Sequence, residues 1–126
     1  MRSCAFCDKG LLNSNFKDRI VRQKYSTAVL HHNQFYYGRA LVVYNQHAED
    51  LSKLNEGERE YFWVETTKIG MAVQKATKAD RMNYALLGNR EHHLHWHVIP
   101  RYKNESNFTI TPWHNEGEKT LADSEM

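Results

Sequence analysis

Three histidines at alternate positions are the residues of this sequence whose types and spacing best suit chemistry. His93, His95 and His97 stand in the run HLHWHVI, with apolar residues between them. Alternate side chains on a β-strand share one face, so neighbouring imidazoles would lie about 7 Å apart. Imidazole binds metals, and in its neutral form it attacks phosphorus. Three interpretations compete: a partly exposed strand with incidental histidines, a metal site, or phosphoryl and nucleotidyl transfer.

Two cysteines near the start of the chain form a second candidate site. Cys4 and Cys7 are separated by two residues. In a cytosolic chain such spacing indicates metal or redox chemistry rather than a structural disulfide. A redox pair of the thioredoxin type belongs to a βαβ pattern, and no strand precedes these cysteines. The position of the pair therefore favours a metal site, both over a redox pair and over two thiols without a function.

Length, charge and hydropathy exclude several classes of protein. The 126 residues predict one domain with one core. A formal net charge of +2 lacks the basic excess of a nucleic-acid-binding protein. No apolar run approaches the roughly eighteen residues of a membrane-spanning helix. The N-terminal residues lack a long apolar segment, so we expect no signal peptide there. We therefore expect a cytoplasmic protein with neither a nucleic-acid nor a membrane partner.

Five stretches have the composition of β-strands, and their order predicts the fold class. The stretches are residues 19–26, 27–30, 39–44, 82–87 and 93–99. Pro100 should end the last of them, because proline cannot donate to a central ladder. A short turn or helix begins at His47. Residues 13–17 are predicted to be a loop, and residues 103–126 an extended polar tail. Strands followed by a helix and further strands indicate an α+β fold with an antiparallel sheet.

One long helix is the clearest prediction of secondary structure. Asn55 is a favourable N-cap, and Glu58 three residues later completes a capping box. The residues that follow at steps of four and three form a mostly apolar stripe: Phe62, Thr66, Ile69, Val73 and Ala76. Charged residues over positions 75–81 should end the helix. We expect the stripe to pack in the core rather than line a cofactor groove.

The histidine run and its flanks resemble a known family. His-x-His-x-His, two apolar residues and Pro100-Arg101-Tyr102, preceded by Asn83 to Asn89, resemble the signature of the histidine triad (HIT) nucleotide hydrolases and transferases. The longer stretch resembles a bacterial branch of diadenosine tetraphosphate hydrolases. The resemblance covers about Cys4 to Trp113, so residues 1–113 are expected to form the domain and 114–126 a polar tail.

The resemblance implies a fold and an assembly. Proteins of this family have a five-stranded antiparallel sheet with one long helix and a short helix. They usually pair as homodimers through the long helix and neighbouring strands. Trp63 lies off the apolar stripe and suits either such a contact or a core position.

The same resemblance assigns roles to the three histidines. His95 matches the nucleophile that attacks the α-phosphorus to form a covalent nucleotidyl-histidine, which water then hydrolyses. His97 matches the residue that contacts the phosphate and the leaving group, where an N–H donor stabilises developing charge. The carbonyl of His93, or a group near it, would fix the tautomer of His95.

Substrate contacts are expected at several positions where this chain departs from the family's commoner pattern. Gly88 and Asn89 either approach a phosphate or form an ordinary turn, and the loop they belong to is shortened, so Arg90 is a further candidate. Arg39 replaces a histidine and is either a phosphate clamp or a solvated residue. His31 stands at the position of a ribose-binding residue.

The cysteines resemble the pair found in zinc-bearing members of the family. The resemblance implies that His47 and His93 complete the ligand set with Cys4 and Cys7. Two thiolates and two imidazoles make a closed tetrahedral site, which is structural rather than catalytic. His92 is a rival ligand, but on a strand it would point to the opposite face from His93.

These features together predict a nucleotidyl hydrolase that cleaves dinucleoside polyphosphates or related nucleotide conjugates and releases a nucleoside monophosphate. The triad itself requires no catalytic metal, although Mg²⁺ can accompany a polyphosphate substrate. The alternatives are hydrolysis of a P–N bond in nucleoside phosphoramidates, a non-enzymatic module for nucleotide binding or zinc-dependent interaction, and a metal-dependent enzyme that uses the triad as ligands.

Overall fold

A computed structural model of the chain describes residues 4–8 and 18–113. The helices and strands are, in chain order, α1 (Ala5–Asp8), β1 (Arg19–Arg22), β2 (Ser26–Leu30), β3 (Ala40–Tyr44), a 3₁₀ helix (Leu51–Lys53), α2 (Glu56–Thr77), β4 (Arg81–Ala85) and β5 (His95–Arg101). The loop predicted over residues 13–17 and the tail over 114–126 lie outside these residues. Among the described helices, none is long and apolar enough to cross a bilayer.

The five strands form one antiparallel sheet in the order β1-β2-β3-β5-β4, which confirms the predicted α+β class and five-stranded sheet. β5 starts at His95, two residues later than predicted, and continues through Pro100. The prediction that Pro100 ends the strand is wrong. β3 pairs with β5 only as far as Val98, so Pro100 has a neighbouring strand, β4, on one side alone. Proline is tolerated at such edge positions.

Helix α2 begins with the predicted capping box. The Asn55 side chain accepts from the Glu58 N–H, and Glu58 accepts from the Asn55 N–H, both at 2.8 Å. Phe62, Thr66 and Ile69 are buried as expected, but Ala76 is exposed. The packed face continues instead through half-buried Thr77. A Cβ built on Gly38, where φ is +91°, would lie 2.6 Å from the methyl group of Thr77. Gly38 therefore packs directly against this face of α2.

The two faces of the sheet have different partners. Val42, Tyr44, Leu94 and Val98 pack with Phe62 of α2 in one core cluster. A second cluster, formed by Phe6, Val29, Leu41 and Val43, lies apart from this one. Neighbouring residues of β3 alternate between the clusters, so the second cluster covers the face of the sheet opposite α2.

Residues 103–113 are not the extended tail that their polarity predicted. The buried Arg101 guanidinium donates to Glu105 Oε1 and to the carbonyl of Asn107, each at 2.6 Å. Asn107 Nδ2 donates to Tyr36 Oη at 2.8 Å, and that hydroxyl donates to the Pro112 carbonyl at 3.1 Å. Buried polar groups thus tie this segment of turns to the body of the domain, an arrangement that periodicity does not reveal.

Candidate active site

His95 and His97 lie on the sheet face opposite α2. Directly opposite residues of antiparallel strands share a face, and the register pairs Val43 with His95 and Leu41 with His97. Val43 and Leu41 belong to the cluster that covers the face opposite α2. The rings of His95 and His97 are 5.1 Å apart between centroids. His93 precedes β5, so the strand itself carries only two of the three histidines.

A short hydrogen bond orients His95. Its Nδ1 lies 2.7 Å from the carbonyl oxygen of His93. A carbonyl only accepts, so Nδ1 carries the proton and Nε2 keeps its lone pair. Burial lowers the pKa of His95, while this hydrogen bond raises it. The site therefore holds a neutral imidazole with its proton on Nδ1 and its lone pair on Nε2.

Arg39 places a positive charge beside His97 on one side of the site. Arg39 is only 2% exposed, which rules out the alternative that it is a solvated residue at the start of the strand. Its Nη2 lies 3.3 Å from Nδ1 of His97. Because arginine has no acceptor, His97 Nδ1 accepts and its proton resides on Nε2. Burial, then the charges of His95 and Arg39, lower the pKa of His97 to about 3. His97 is thus a neutral N–H donor beside a fixed positive charge.

His31 extends this side of the site. The Asn33 N–H donates to its Nδ1 at 3.0 Å. Burial, followed by the charge of Arg39, lowers the pKa of His31 to about 3. The ring is stacked on that of exposed His32 and lies 6.1 Å from the ring of His97. Nδ1 also lies 3.3 Å from the Asn33 carbonyl oxygen, but the shorter contact with the N–H makes Nδ1 the acceptor and places the proton of neutral His31 on Nε2.

A cleft with a volume of about 180 Å³ opens beside His95. It is lined by Glu49, Asp50, Leu86, Leu87, Gly88, Leu94 and His95. Gly88 has φ of +79°, which favours glycine at this turn. Of the predicted substrate contacts that follow it, Asn89 and Arg90 are exposed and do not line the cleft. The structure thus places Gly88 at the site but leaves these two side chains in the turn beyond it.

The predicted metal ligands meet in one cluster. One ligand atom from each of Cys4, Cys7, His47 and His93 lies within 4.8 Å of the others. The Nδ1 atom of His93 is 3.3 Å from Cys4 Sγ and 3.5 Å from Cys7 Sγ, and His47 Nδ1 is 3.7 Å from Cys7 Sγ. The rival ligand His92 does not belong to the cluster.

These separations fit a tetrahedral zinc ion. With Zn–S bonds of about 2.3 Å and Zn–N bonds of about 2.0–2.1 Å, a sulfur and a nitrogen on one ion lie about 3.5 Å apart. Nε2 of His93 lies 2.7 Å from the Tyr44 carbonyl, so Nδ1 is the nitrogen left to bind a metal. The donor set and its spacing are compatible with structural zinc.

A comparison with protein families identifies the chain. A model of the HIT domain matches residues 13–104, well over half of the sequence. The chain belongs to the HIT domain family. Its specific assignment to the diadenosine tetraphosphate hydrolase branch stays a prediction.

Relatives and solved structures agree with this HIT assignment. The uncharacterized HIT-like protein MG132 of Mycoplasma genitalium is 26% identical over 113 residues, covering 84% of this chain and 78% of that protein. The crystal structure of histidine triad protein blr8122 from Bradyrhizobium japonicum matches with a TM-score of 0.77 and 23% identity, covering 86% and 83% of the two chains. The hypothetical histidine triad nucleotide-binding protein ST2152 of Sulfolobus tokodaii matches with a TM-score of 0.75 and 19% identity, covering 97% and 83%. These structures establish a shared fold.

Sequence reasoning missed two aromatic residues at the site of this HIT domain. Phe6 has its ring centroid 4.9 Å from that of His95. Trp113 lies 5.1 Å from the ring of His97, and the Arg39 guanidinium carbon lies 5.5 Å from the Trp113 centroid. Neither carried a functional signal in the sequence, because an aromatic residue between two cysteines or within a polar segment is ordinary.

The depressed pKa of His97 predicts acid destabilisation. Its pKa is about 3 in the folded chain and about 6.5 when unfolded, so the unfolded state binds more protons between those values. Stability should fall as the pH drops below about 6.5, by about 1–2 kcal/mol between pH 7 and pH 5 from this residue. Urea unfolding at both pH values should show His97→Gln losing less stability than wild type. An unchanged pH dependence in His97→Gln would contradict the assignment.

Proposed function

We propose that this HIT protein is a nucleotidyl hydrolase that cleaves dinucleoside polyphosphates, or related nucleotide conjugates, at the α-phosphate through a covalent bond to His95. The observation that carries the proposal is the 2.7 Å contact between His95 Nδ1 and the His93 carbonyl, which leaves a lone pair on Nε2. His95 also lines the cleft, where a phosphate can reach it. The Sulfolobus structure described as nucleotide-binding supports a nucleotide as the ligand.

The reaction proceeds in two displacements at phosphorus. His95 Nε2 forms a bond to the α-phosphorus while the bond to the leaving oxygen breaks, and that oxygen keeps the electron pair. The ring becomes cationic, and its Nδ1–H stays bonded to the His93 carbonyl, which stabilises the charge. Water then attacks phosphorus, releases the nucleoside monophosphate with loss of a proton, and returns the lone pair to Nε2.

Arg39 and His97 are the proposed anion-binding groups. The charge of Arg39 is fixed because guanidinium does not lose its proton in proteins, and Nε2–H of His97 is available to the phosphate or leaving group. His31 would donate through Nε2–H to a ribose oxygen. Gly88 would allow a close approach of backbone to phosphate, with Asn89 and Arg90 as further contacts from the exposed turn.

Hydrolysis of P–N bonds is the second candidate, and the charge of the cleft favours it. Glu49 and Asp50 line the cleft beside His95. Carboxylates there repel an anionic polyphosphate leaving group but tolerate an amine. A polyphosphate substrate would bring Mg²⁺ as part of the substrate, which offsets this repulsion. A panel that compares diadenosine polyphosphates with an adenosine phosphoramidate separates the two candidates by their leaving groups.

We further propose that Cys4, Cys7, His47 and His93 hold a structural zinc ion. A closed site of two thiolates and two imidazoles supplies folding free energy when the metal is bound, rather than reactivity. These ligands would join the segment of α1, the loop after β3 and the start of the triad. A catalytic role for this ion is disfavoured because His95 and His97 lie outside the cluster.

A homodimer is the proposed assembly. The ring centroid of Trp63 lies 4.9 Å from that of Trp96 and 5.4 Å from that of Tyr84, so part of the side chain packs against the domain. The residue is nevertheless 44% exposed and presents apolar surface to solvent. It lies near β4, an edge strand of the sheet. Exposed apolar surface beside an open edge is typical of an association surface.

A cytoplasmic location and the lack of a nucleic-acid partner stay predictions.

Replacing the proposed nucleophile tests the function. We expect His95→Ala to lower turnover at least about 10³-fold while nucleotide still binds by calorimetry, because binding groups such as Arg39 remain. His92→Ala, a matched histidine outside the site, should keep turnover. Full activity in His95→Ala would end the proposal, and nucleotide binding by wild type without turnover of any substrate in the panel would establish a binding module instead.

Metal analysis tests the zinc site. Purified protein should contain about one zinc per chain, and Cys7→Ser should lose it together with thermal stability. His92→Gln should retain the metal, because that ring lies outside the cluster. Wild type that binds no zinc after refolding with Zn²⁺, or a variant of His92 that loses it, would refute the ligand set.

Sedimentation tests the assembly. Wild type should sediment at about twice the chain mass of 14.9 kDa, and Trp63→Arg should shift it toward the monomer. Ala72→Arg places the same charge at an exposed position on the opposite flank of α2 and should leave the dimer intact. A monomeric wild type at tens of micromolar would show that the exposed tryptophan has another purpose.

A further inference from the structure

His93 takes part both in the cysteine cluster and in the hydrogen bond that orients His95. Its side chain is part of the cysteine cluster, with Nδ1 3.3 Å from Cys4 Sγ, while its main-chain carbonyl accepts from Nδ1 of His95 at 2.7 Å. The residue lies two positions before β5, so it is not itself part of that strand. Its side chain is held instead by the cluster and by the Tyr44 carbonyl, 2.7 Å from Nε2. Whatever fixes this side chain also helps to fix the acceptor that orients His95.

Phe6 forms a second connection between the cluster and His95. It stands between the two cysteines, and its ring meets that of His95 at 4.9 Å and that of His93 at 5.7 Å, edge to face in both cases. Only 6% of Phe6 is exposed. The position of this ring therefore depends on the segment that carries Cys4 and Cys7.

The contacts of His95 show why this ring matters. The hydrogen bond to His93 sets the direction of Nδ1, but a side chain with two torsions still needs packing to hold its plane. His97 lies against the ring at 5.1 Å with an interplanar angle of 63°, and Phe6 provides the second aromatic contact at 70°. A nucleophile held on two sides keeps Nε2 aimed in one direction.

We propose that Phe6 is a positioning residue for His95, and that metal binding by Cys4 and Cys7 sets the place of its ring. The cluster would then control the geometry of the nucleophile as well as the stability of the chain. This inference rests on the proposed function for its effect on rate. Its structural part, the coupling between the cluster and the His95 ring, is independent of any substrate.

Nitrogen NMR of the histidine side chains tests the coupling without substrate. In zinc-loaded wild type labelled with ¹⁵N, the two nitrogens of His95 should show one tautomer, with Nδ1 protonated. Phe6→Leu keeps an apolar side chain but removes the ring, and should move the two nitrogen shifts toward each other as the ring loses its single orientation. Wild type stripped of metal by a chelator should show the same change.

Kinetics supply the second readout. With the most active substrate of the panel, Phe6→Leu should lower kcat about tenfold and leave KM within about twofold, because Phe6 orients the nucleophile and does not bind substrate. Val29→Ala is the matched control, since Val29 lies in the same buried cluster as Phe6. It should lower the thermal midpoint, as Phe6→Leu does, but leave kcat and the His95 nitrogens unchanged.

Metal-stripped wild type whose His95 nitrogen shifts match those of the zinc-loaded protein would overturn the coupling to the cluster. Two further results would overturn the role of Phe6. One is a Phe6→Leu protein whose His95 nitrogens and kcat match those of wild type. The other is a Val29→Ala protein whose His95 nitrogen shifts and kcat change as much as those of Phe6→Leu, since Phe6 would then act only as part of the core. Failure of the proposed function is a separate outcome: the NMR shifts would respond to Phe6→Leu and to chelation, yet no substrate would be turned over.

Discussion

The hydrogen bond from His95 Nδ1 to the carbonyl of His93 is the contact on which the site depends. It fixes the tautomer and leaves the lone pair on Nε2. In the proposed reaction it would also stabilise the positive charge that forms when Nε2 bonds to phosphorus. The contact is buried, where hydrogen bonds are electrostatically stronger than in water. Its acceptor lies just before β5, so the loop must be held as well. The Leu94 N–H donates to the Ala48 carbonyl at 2.6 Å and contributes to this.

The sequence predicted the elements whose signals are local. Alternation around His95 and His97 placed both on one strand face, and the capping box at Asn55 set the start of α2. The cysteine spacing, read with the family resemblance, predicted a four-residue cluster that the structure brings together. Each of these rests on a short stretch of chain with a strong geometric rule, or on a specific motif.

Features that depend on packing between distant segments could not be predicted in this way. An arginine at the start of a strand is equally compatible with solvent and with burial, and only the folded chain places Arg39 against His97. Residues 103–113 have no periodicity, because buried hydrogen bonds to Arg101 and Tyr36 hold them rather than a repeating apolar face. Phe6 gave no catalytic signal, since an aromatic residue between two cysteines is ordinary in sequence.

The most direct test of the account is the identity of the atom that, in the proposed reaction, would bond to phosphorus. Protein labelled with ¹⁵N and quenched during turnover of a slowly hydrolysed nucleotide should show coupling between phosphorus and Nε2 of His95, because Nδ1 is occupied by the His93 carbonyl. An adduct on Nδ1 or on another residue, or turnover with no adduct under conditions that trap one, would contradict it.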